Sequence, residues 1–324
     1  MPNPQFVLHP ADLFSLNAHL LSLGWLPAGP VTSAEAIGDG NMNFTVRARF
    51  PQGSLILKQA RPWVVKYPQI PAPVERAAVE AAFYRHVAQS PAVSSRMPRL
   101  LGFCPHSHLL CLEDLGPAAD FMPCYSAPPT LQESDCLPLV AYLRNLHSLP
   151  APAIPNRAMR ALNHEHQYRF PLLPDNGLQL DSITPGLAAL AAELIDNPAY
   201  VAAVTAVGER YLADGPALLH GDFFPGSWLH TPSSVAVIDP EFCFAGEPEY
   251  DLGIFLAHLE LINASHLWPL VEREYARPLD WTLARRYAGA ELMRRLIGVA
   301  QLPVPPALDA KRRWLQLSRQ LLAY

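Results

Sequence analysis

The chain has 324 residues, of which 50% are hydrophobic and 16% are charged, and its formal net charge at pH 7 is −5. This length suits one large domain or two joined lobes, and the apolar fraction is sufficient for a sizeable core. The acidic balance argues against a nucleic-acid-binding protein, since such proteins normally carry a basic surplus. The composition is typical of a soluble enzyme.

The cysteines and the N-terminal segment bear on the compartment of the protein. The five cysteines lack the short spacings of a zinc site, and their odd number does not fit a disulfide framework. The first residues lack the basic and apolar blocks of a signal peptide, and no apolar run reaches the ~18 residues that span a bilayer. We therefore expect a cytoplasmic protein with no membrane partner, and the sequence leaves a homodimer open.

Hydrophobic periodicity in the first 115 residues predicts a leading helix followed by an antiparallel sheet with one helix. The strand segments alternate between apolar and polar residues and are bounded by turn residues. The predicted elements, in chain order, are a helix over 10–23, two strands within 31–50 around a glycine turn, a strand over 54–60, a helix over 73–89, and strands over 99–104 and 108–116.

The rest of the chain is mostly helical in pattern and contains two short apolar runs. Helical periodicity covers 137–149, 183–195, 199–212, 249–262 and 282–302, and the apolar runs are 216–222 and 234–242. The pattern breaks near 115–128, at GPAAD and SAPP. We therefore predict an α+β, bilobal fold, with an N-terminal lobe over 1–115 and a mostly helical C-terminal lobe over 116–324.

Two aspartates stand at the ends of the two short apolar runs. Asp222 ends LLHGD and Asp239 follows VAVI, 17 positions later (239 − 222). The intervening chain is long enough for a hairpin, so we expect both carboxylates at one site. Glu241 lies two residues after Asp239 and points to the same side if the chain stays extended there.

These residues fit the parts that phosphoryl transfer requires. One carboxylate must accept the proton of the attacking hydroxyl, another must hold Mg²⁺, a lysine must steady the phosphates, and a glycine-rich hairpin must cover them. We assign the first role to Asp222 and the second to Asp239, with Glu241 as a further ligand because Mg²⁺ prefers hard oxygen donors. Lys58 and the GDGNMN hairpin over 38–43 supply the other parts.

The order of these motifs resembles that of the aminoglycoside phosphotransferase and choline kinase superfamily, and within it the methylthioribose kinase family. The matching segments are GDGNMN at 38–43, LKQA at 57–60, HGDFFPGS at 220–227, DPEF at 239–242 and MRRLIG at 293–298. The resemblance implies a protein-kinase-like fold whose N-terminal sheet covers the nucleotide. It also implies an ATP- and Mg²⁺-dependent kinase for a hydroxyl of a small sugar, 5-methylthioribose or a related 5-deoxypentose.

Carried over to the matching positions, the resemblance assigns nucleotide contacts in the N-terminal lobe. The residues that it places at the phosphates are Gly38, Asp39, Gly40, Asn41, Asn43 and Lys58. Glu80 is then the partner of the lysine, although Glu75 lies on the same predicted helix. Backbone groups near Leu112, Glu113 and Leu115 are expected to read adenine.

In the C-terminal lobe the resemblance assigns the catalytic base to Asp222 and Mg²⁺ to Asp239, Glu241 and Ser227. Arg294 and Arg295 are assigned to the sugar or the transferred phosphate. Adjacent residues of a helix diverge by ~100°, so the sequence does not predict that both arginines reach one site. Asp251 resembles the acid that supports the catalytic loop.

Two alternatives remain open at the level of the sequence. Aminoglycoside, amino alcohol and fructosamine kinases share the scaffold, so analogy of fold does not select the acceptor. The basic C-terminal segment DAKRRWLQLSRQLLAY speaks against an aminoglycoside. The other alternative is a non-catalytic pseudokinase that binds a nucleotide, which Phe224 and Ser227 favour and which the presence of Asp222 and Asp239 opposes.

Overall fold

A computed structural model describes residues 6–26, 29–38, 42–126, 131–232 and 234–323. The described residues form two compact units. The first unit contains the residues up to Pro117 together with Pro240–Phe242, and the second contains the remainder. The break after Pro117 lies close to the position, after residue 115, at which the sequence analysis divided the chain.

The first unit is built on an antiparallel sheet. Its strands are β1 (Ser33–Ala36), β2 (Asn43–Phe50), β3 (Gly53–Ala60), β4 (Trp63–Val64), β5 (Tyr67–Pro71), β6 (Leu100–Cys104) and β7 (Leu109–Glu113). Its helices are α1 (Leu13–Ser22), α2 (Arg76–Val87) and α3 (Pro91–Ser94). Five strands pair in the order β1-β2-β3-β7-β6, and β4 and β5 form a separate hairpin.

Strand β3 shows how both faces of this sheet are covered. Leu57 is fully buried in a core with Leu16 and Leu20 of α1. The next residue, Lys58, is bonded to Glu80 of α2. Consecutive strand residues point to opposite faces, so α1 and α2 lie on opposite faces of the sheet. The helix that covers the second face thereby supplies the partner of the buried lysine.

The second unit is mostly helical. Its helices are α4 (Glu133–Leu146), α5 (Arg157–His164), α6 (Leu180–Ile183), α7 (Leu187–Ile195), α8 (Pro198–Leu212), α9 (Glu249–Leu261), α10 (Trp268–Tyr275), α11 (Trp281–Ile297) and α12 (Leu308–Leu322). Its strands are β8 (Ala119–Asp120), β9 (Ala217–Leu219), β10 (Trp228–His230), β11 (Val235–Val237) and β12 (Phe244–Gly246). A π-helical turn, Glu165–Arg169, continues α5. Helices α9 and α11 are buried over most of their surface, as expected for core helices.

The short strands of the second unit position the two predicted aspartates. Strand β9 pairs with β12, with Leu219 opposite Phe244. Between them in the chain, β10 and β11 form a hairpin in which Trp228 lies opposite Val237. The chain therefore passes through Asp222 on leaving β9 and through Asp239 before it enters β12. The hairpin that the sequence predicts between the two aspartates is present.

The α+β class is confirmed, and two helical segments differ from the prediction. The segment 183–195 is not one helix, because it breaks at Pro185 and Gly186, where the glycine has a φ of +89°. The basic C-terminal segment is not a tail, because it forms α12 and packs against α11. Its apolar side chains lie on the packed side and its basic residues mostly on the other, a pattern that favours a surface helix.

Among the described residues, no single helix is long and apolar enough to cross a membrane. Helices α7 and α8, which meet at a bend of 80°, satisfy the length and composition requirement only as a pair.

Candidate active site

The loop that carries Asp222 is held from one side by Asp251. Its Oδ2 accepts the backbone N–H of His220 at 2.7 Å, and its Oδ1 accepts that of Gly221 at 3.0 Å. Gly221 has a φ of +87°, a conformation that costs glycine little. His147 contributes a third contact, from Nε2 to Asp251 Oδ2 at 3.1 Å. Asp251 therefore supports the loop as the resemblance predicted, whereas sequence reasoning missed His147.

His220 joins the Asp222 loop to the strand that leads to Asp239. Its Nδ1 accepts the backbone N–H of Asp222 at 3.3 Å, so Nε2 carries the proton and donates to the carbonyl of Ile238 at 2.9 Å. Burial lowers the pKa of His220, although the charges of Asp251, Asp222 and Asp239 act in the opposite direction. The imidazole is neutral in this arrangement and has a structural role.

Ser227 makes a second connection between the same two segments. Its hydroxyl donates to the carbonyl of Asp222 at 2.9 Å, and its carbonyl accepts the N–H of Ile238 at 2.9 Å. Asp239 follows with a φ of +63°, a left-handed conformation that is uncommon for a residue other than glycine. Such conformations persist where the surroundings determine them, frequently at functional sites. Asp222, Ser227 and Asp239 are thus brought to one end of the paired strands.

Both predicted arginines reach the carboxylate of Asp222. The Nη2 atoms of Arg294 and Arg295 lie 3.5 and 3.4 Å from its Oδ1. The divergence of neighbouring helical residues is overcome by the length of the two side chains. Burial raises the pKa of Asp222, and the charges of Arg295 and Arg294 oppose this rise without cancelling it. A carboxylate in this environment is a stronger base than an exposed aspartate.

Glu291 holds the two arginines together and was missed by the sequence analysis. Its carboxylate accepts from Nε of Arg294 and, at 2.7 Å, from Nε of Arg295. Residues three and four positions apart on a helix are neighbours, so an acid followed at that spacing by two arginines could have revealed the cluster. Glu291 is 2% exposed, which makes it a structural rather than a solvent-facing carboxylate.

In the first unit the predicted phosphate-binding lysine is paired as expected. Nζ of Lys58 lies 3.0 Å from Oε1 and 2.9 Å from Oε2 of Glu80, and both side chains are buried. A buried ammonium group is costly unless it is paired. Glu80 lies on α2, five residues after Glu75 at the N-terminal end of that helix, and it is the carboxylate that contacts Lys58.

The glycine-rich hairpin is described only at its two ends. Gly38 has a φ of +69°, whereas Asp39, Gly40 and Asn41 lie outside the described residues. At the other end the amide of Asn43 is engaged within the protein. Its Oδ1 accepts from Nε of Arg76 at 2.9 Å, and its Nδ2 donates to Oε2 of Glu241 at 2.7 Å.

Arg76 completes this cluster in the first unit. It is fully buried, its Nε lies 3.3 Å from Oε2 of Glu241, and it donates to the carbonyls of Met42 and Pro73. The end of the hairpin, helix α2 and the Pro240–Phe242 segment are therefore held by one guanidinium group. Sequence reasoning missed Arg76, because no local pattern relates it to residues so distant in the chain.

The predicted adenine-reading segment lies at the end of β7. Leu112 is buried within the sheet, and the N–H of Glu113 is already donated to the carbonyl of Arg99 at 2.9 Å. The adenine contact that the sequence analysis expects at Glu113 would therefore fall to its carbonyl. Leu115 follows, half-buried, after Asp114, whose carboxylate is anchored by Arg47 at 2.7 Å.

The predicted magnesium ligands offer hard oxygen atoms. Among the residues that the structure describes, no group of three or more His, Cys, Asp or Glu side chains is arranged to hold a metal ion. Mg²⁺ in kinases is commonly held by one or two carboxylates together with phosphate oxygens and water. The carboxylates of Asp239 and Glu241 and the hydroxyl of Ser227 fit that type of site by their chemistry.

Comparison with known proteins places this chain in a family. The model of the phosphotransferase enzyme family (APH) matches residues 34–287, which is more than half of the chain. The chain belongs to this family. The methylthioribose kinase of Exiguobacterium sibiricum is 29% identical over an alignment of 332 positions, gaps included, which covers 86% of this chain and 82% of that protein.

Solved structures show the same fold at low identity. A spectinomycin phosphotransferase in complex with ADP and spectinomycin aligns with a TM-score of 0.54 and 14% identity, over 94% of this chain and 97% of that one. The choline kinase LicA of Streptococcus pneumoniae aligns with a TM-score of 0.53 and 13% identity, again over 94% and 97%. The fold is therefore protein-kinase-like, as the resemblance predicted. The protein is an ATP-dependent phosphotransferase with an alcohol group as acceptor.

Proposed function

We propose that this protein phosphorylates a hydroxyl group of a small uncharged sugar, 5-methylthioribose or a related 5-deoxypentose. The observation that carries the proposal is the pair of guanidinium groups at Asp222, 3.4 and 3.5 Å from its carboxylate. Together with the buried Glu291, these groups make a site of two positive and two negative charges. The positive charges of the arginines would repel a cationic acceptor such as an amino alcohol or an aminoglycoside. The curated relatives named methylthioribose kinase support the sugar.

In the proposed reaction Asp222 orients the acceptor hydroxyl and takes its proton as the γ-phosphate of ATP is transferred. The rise of its pKa by burial suits this role, because a stronger base accepts the proton more readily. Arg294 and Arg295 bind acceptor hydroxyls or the oxygens of the transferred phosphate, for which the planar guanidinium group is well suited.

Lys58, kept in place by Glu80, is proposed to contact the phosphates of ATP. Asp239, Glu241 and Ser227 are proposed to hold Mg²⁺, which supplies charge stabilisation at the phosphates when it is bound. The left-handed conformation of Asp239 and the two bonds of Ser227 to its neighbours support a site that is formed before the ligand arrives.

The test is a set of acceptors, assayed one at a time with ATP and Mg²⁺, and followed by ADP release and by product mass. The acceptors are 5-methylthioribose, 5-deoxyribose, ribose, choline, ethanolamine, a fructosamine and an aminoglycoside. We expect the highest kcat/KM with 5-methylthioribose or 5-deoxyribose. A higher kcat/KM with choline or an aminoglycoside would contradict the proposed acceptor, and nucleotide binding without any stimulated ADP release would favour the non-catalytic alternative.

Asp222→Asn supplies the matched control for the assay. We expect a loss of turnover by about 10²- to 10⁴-fold, the usual contribution of a general base. ADP binding, measured by calorimetry, is expected to change little because the assigned phosphate contacts remain. A variant with near-normal turnover on a true acceptor would show that Asp222 is not the base.

A further inference from the structure

Within the second unit, a series of hydrogen-bonded, buried side chains leads away from the arginine pair. Oε1 of Glu291 lies 2.9 Å from Nε2 of His258, whose Nδ1 lies 2.6 Å from the hydroxyl of Tyr125. The three side chains are at most 2% exposed. The family match ends at residue 287, so Glu291 and the arginines lie beyond it.

The donor and the acceptor of each hydrogen bond between Glu291, His258 and Tyr125 follow from the ionisation of Glu291. Burial raises the pKa of Glu291, but Arg294 and Arg295 outweigh that effect and hold its pKa well below the ordinary value. An ionised carboxylate can only accept, so Nε2 of His258 carries the proton and its Nδ1 accepts from the hydroxyl of Tyr125. Burial lowers the pKa of His258 to about 4, so the ring is neutral at pH 7.

Glu291 explains how the side chains of Arg294 and Arg295, which start in different directions, reach the same carboxylate. Neighbouring residues of a helix project about 100° apart, and two free arginines would occupy many rotamers. Glu291 binds Nε of each arginine through a separate oxygen atom. With both Nε atoms fixed, the Nη2 atoms of the two side chains converge on Oδ1 of Asp222. The guanidinium carbon of Arg295 also lies 4.8 Å from the centre of the Phe224 ring, a cation–π contact that further restricts this side chain.

We propose that Glu291, held by His258 and Tyr125, is a positioning residue that aligns both guanidinium groups at Asp222 so that they act on the acceptor as one unit. The effect on turnover rests on the proposed function, whereas the alignment itself does not. The carboxylate of Glu291 contacts the two arginines and His258. We therefore expect it to influence the reaction through the arginines.

The alignment is tested without an acceptor, by NMR of the guanidinium Nε–H groups in the full-length protein. The two signals are assigned with Arg294→Lys and Arg295→Lys. We expect slow hydrogen exchange at both groups in the wild type and at least tenfold faster exchange in His258→Gln, because the altered side chain is the one that is hydrogen-bonded to Glu291. Tyr125→Phe is expected to give a smaller increase, and Glu272→Gln, which alters an ion pair with Arg285, none. Unchanged exchange in His258→Gln would overturn the inference.

The kinetic test is a mutant cycle on whichever acceptor the wild type phosphorylates. Glu291→Gln is expected to lower kcat about tenfold with the KM for ATP within about twofold, since displacement of the two guanidinium groups should cost no more than their replacement. In the background of Arg294→Lys with Arg295→Lys, the same change is expected to lower kcat less than threefold. An equal loss in both backgrounds would assign Glu291 a general structural role and refute the positioning role.

The outcomes separate the two proposals. If the wild type phosphorylates no acceptor, the proposed function fails and the exchange measurement still decides the alignment. If Glu291→Gln does not fold, Tyr125→Phe replaces it in the mutant cycle, with an expected three- to tenfold fall in kcat. A folded Tyr125→Phe protein with normal kcat and normal Nε–H exchange would remove Tyr125 and His258 from the proposal.

Discussion

In the first unit the two buried cations contact different carboxylates, whereas in the second unit two buried cations contact the same two carboxylates. Lys58 lies 2.9 Å from Glu80, and Arg76 lies 3.3 Å from Glu241. By contrast, Arg294 and Arg295 both contact Asp222 and are both bound by Glu291. Because Arg294 and Arg295 share both carboxylates, the position of each arginine side chain depends on the other. Loss of one partner should therefore have different consequences in the two units.

Among the changes that test this contrast between the units, the largest effect is expected from Lys58→Met. Loss of the phosphate contact should lower kcat/KM for ATP by about 10²-fold or more. Unfolding should also become easier by about 3–5 kcal/mol, because the buried carboxylate of Glu80 loses the ammonium group that it contacts. The measurements are steady-state kinetics and urea denaturation. The control, Lys58→Met with Glu80→Gln, should recover much of the stability and none of the activity, and parallel recovery of both would contradict a phosphate role.

A pH-dependent effect of up to about 3 kcal/mol is expected at His258. Its pKa is about 4 in the folded protein and near 6.5 in the unfolded chain. The unfolded state thus binds more protons between these values, so the stability of the wild type is complete above pH 6.5 and is lost as the pH falls towards 4.

His258→Gln should remove this part of the pH dependence. The free energy of unfolding, measured in urea at several pH values from 7.5 to 4.5, should fall less steeply in the variant than in the wild type. The exposed His266→Gln should keep the wild-type slope. Identical slopes for wild type and His258→Gln would contradict the buried neutral state of this histidine.

A smaller effect, about tenfold in kcat each, is expected from Arg294→Lys and Arg295→Lys. Lysine keeps the charge but lacks the planar group that binds Glu291 and Asp222 together. Because the two arginines share the same carboxylates, the double variant should lose less than the product of the single losses. If the loss of kcat in the double variant equals the product of the two single losses, the arginines act independently. The contrast between the second unit and the first would then be wrong.

The smallest effect is expected at the exposed pair of Arg99 and Glu113, which are joined at 3.1 Å. Replacement of either by alanine should change the free energy of unfolding by less than about 1 kcal/mol, the usual limit for exposed pairs. Since the assigned adenine contact at Glu113 uses the backbone, Glu113→Ala should also leave the KM for ATP nearly unchanged. A large rise in that KM would assign the side chain of Glu113, rather than its backbone, to nucleotide recognition.

The helices and strands with a regular spacing of apolar residues could be predicted from the sequence. The contacts of the site could be predicted where both residues belong to recognised sequence motifs. Strands β2 and β3 follow from their alternation, and helices α2, α9 and α11 follow from helical spacing. The pairing of Lys58 with Glu80 and the support of the Asp222 loop by Asp251 followed from motif order. The break between α6 and α7 was readable from Pro185 and Gly186, but the apolar run that follows them obscured it.

The remaining parts of the site depend on residues that are distant in sequence. Asn43 and Glu241 are 198 positions apart and are joined by one hydrogen bond. His258 and Tyr125 are separated by 133 positions. No periodicity or motif relates such positions, because side-chain partners in a core are selected by the packing of whole elements. The roles of all the assigned site residues stay predictions: the base, the phosphate-binding lysine, the magnesium ligands, the two arginines and the adenine-reading segment.

The sequence by itself determined the class of the fold and the placement of Asp222 and Asp239 at the two ends of a hairpin, since both depend on local patterns: the spacing of apolar residues and the short HGD and DPEF motifs. Only the tertiary structure decided that Arg294 and Arg295 both face Asp222 and that Glu291 holds them there. The physical reason is that a buried charge needs a partner within a few ångströms, and the distance between two side chains exists only after the chain has folded.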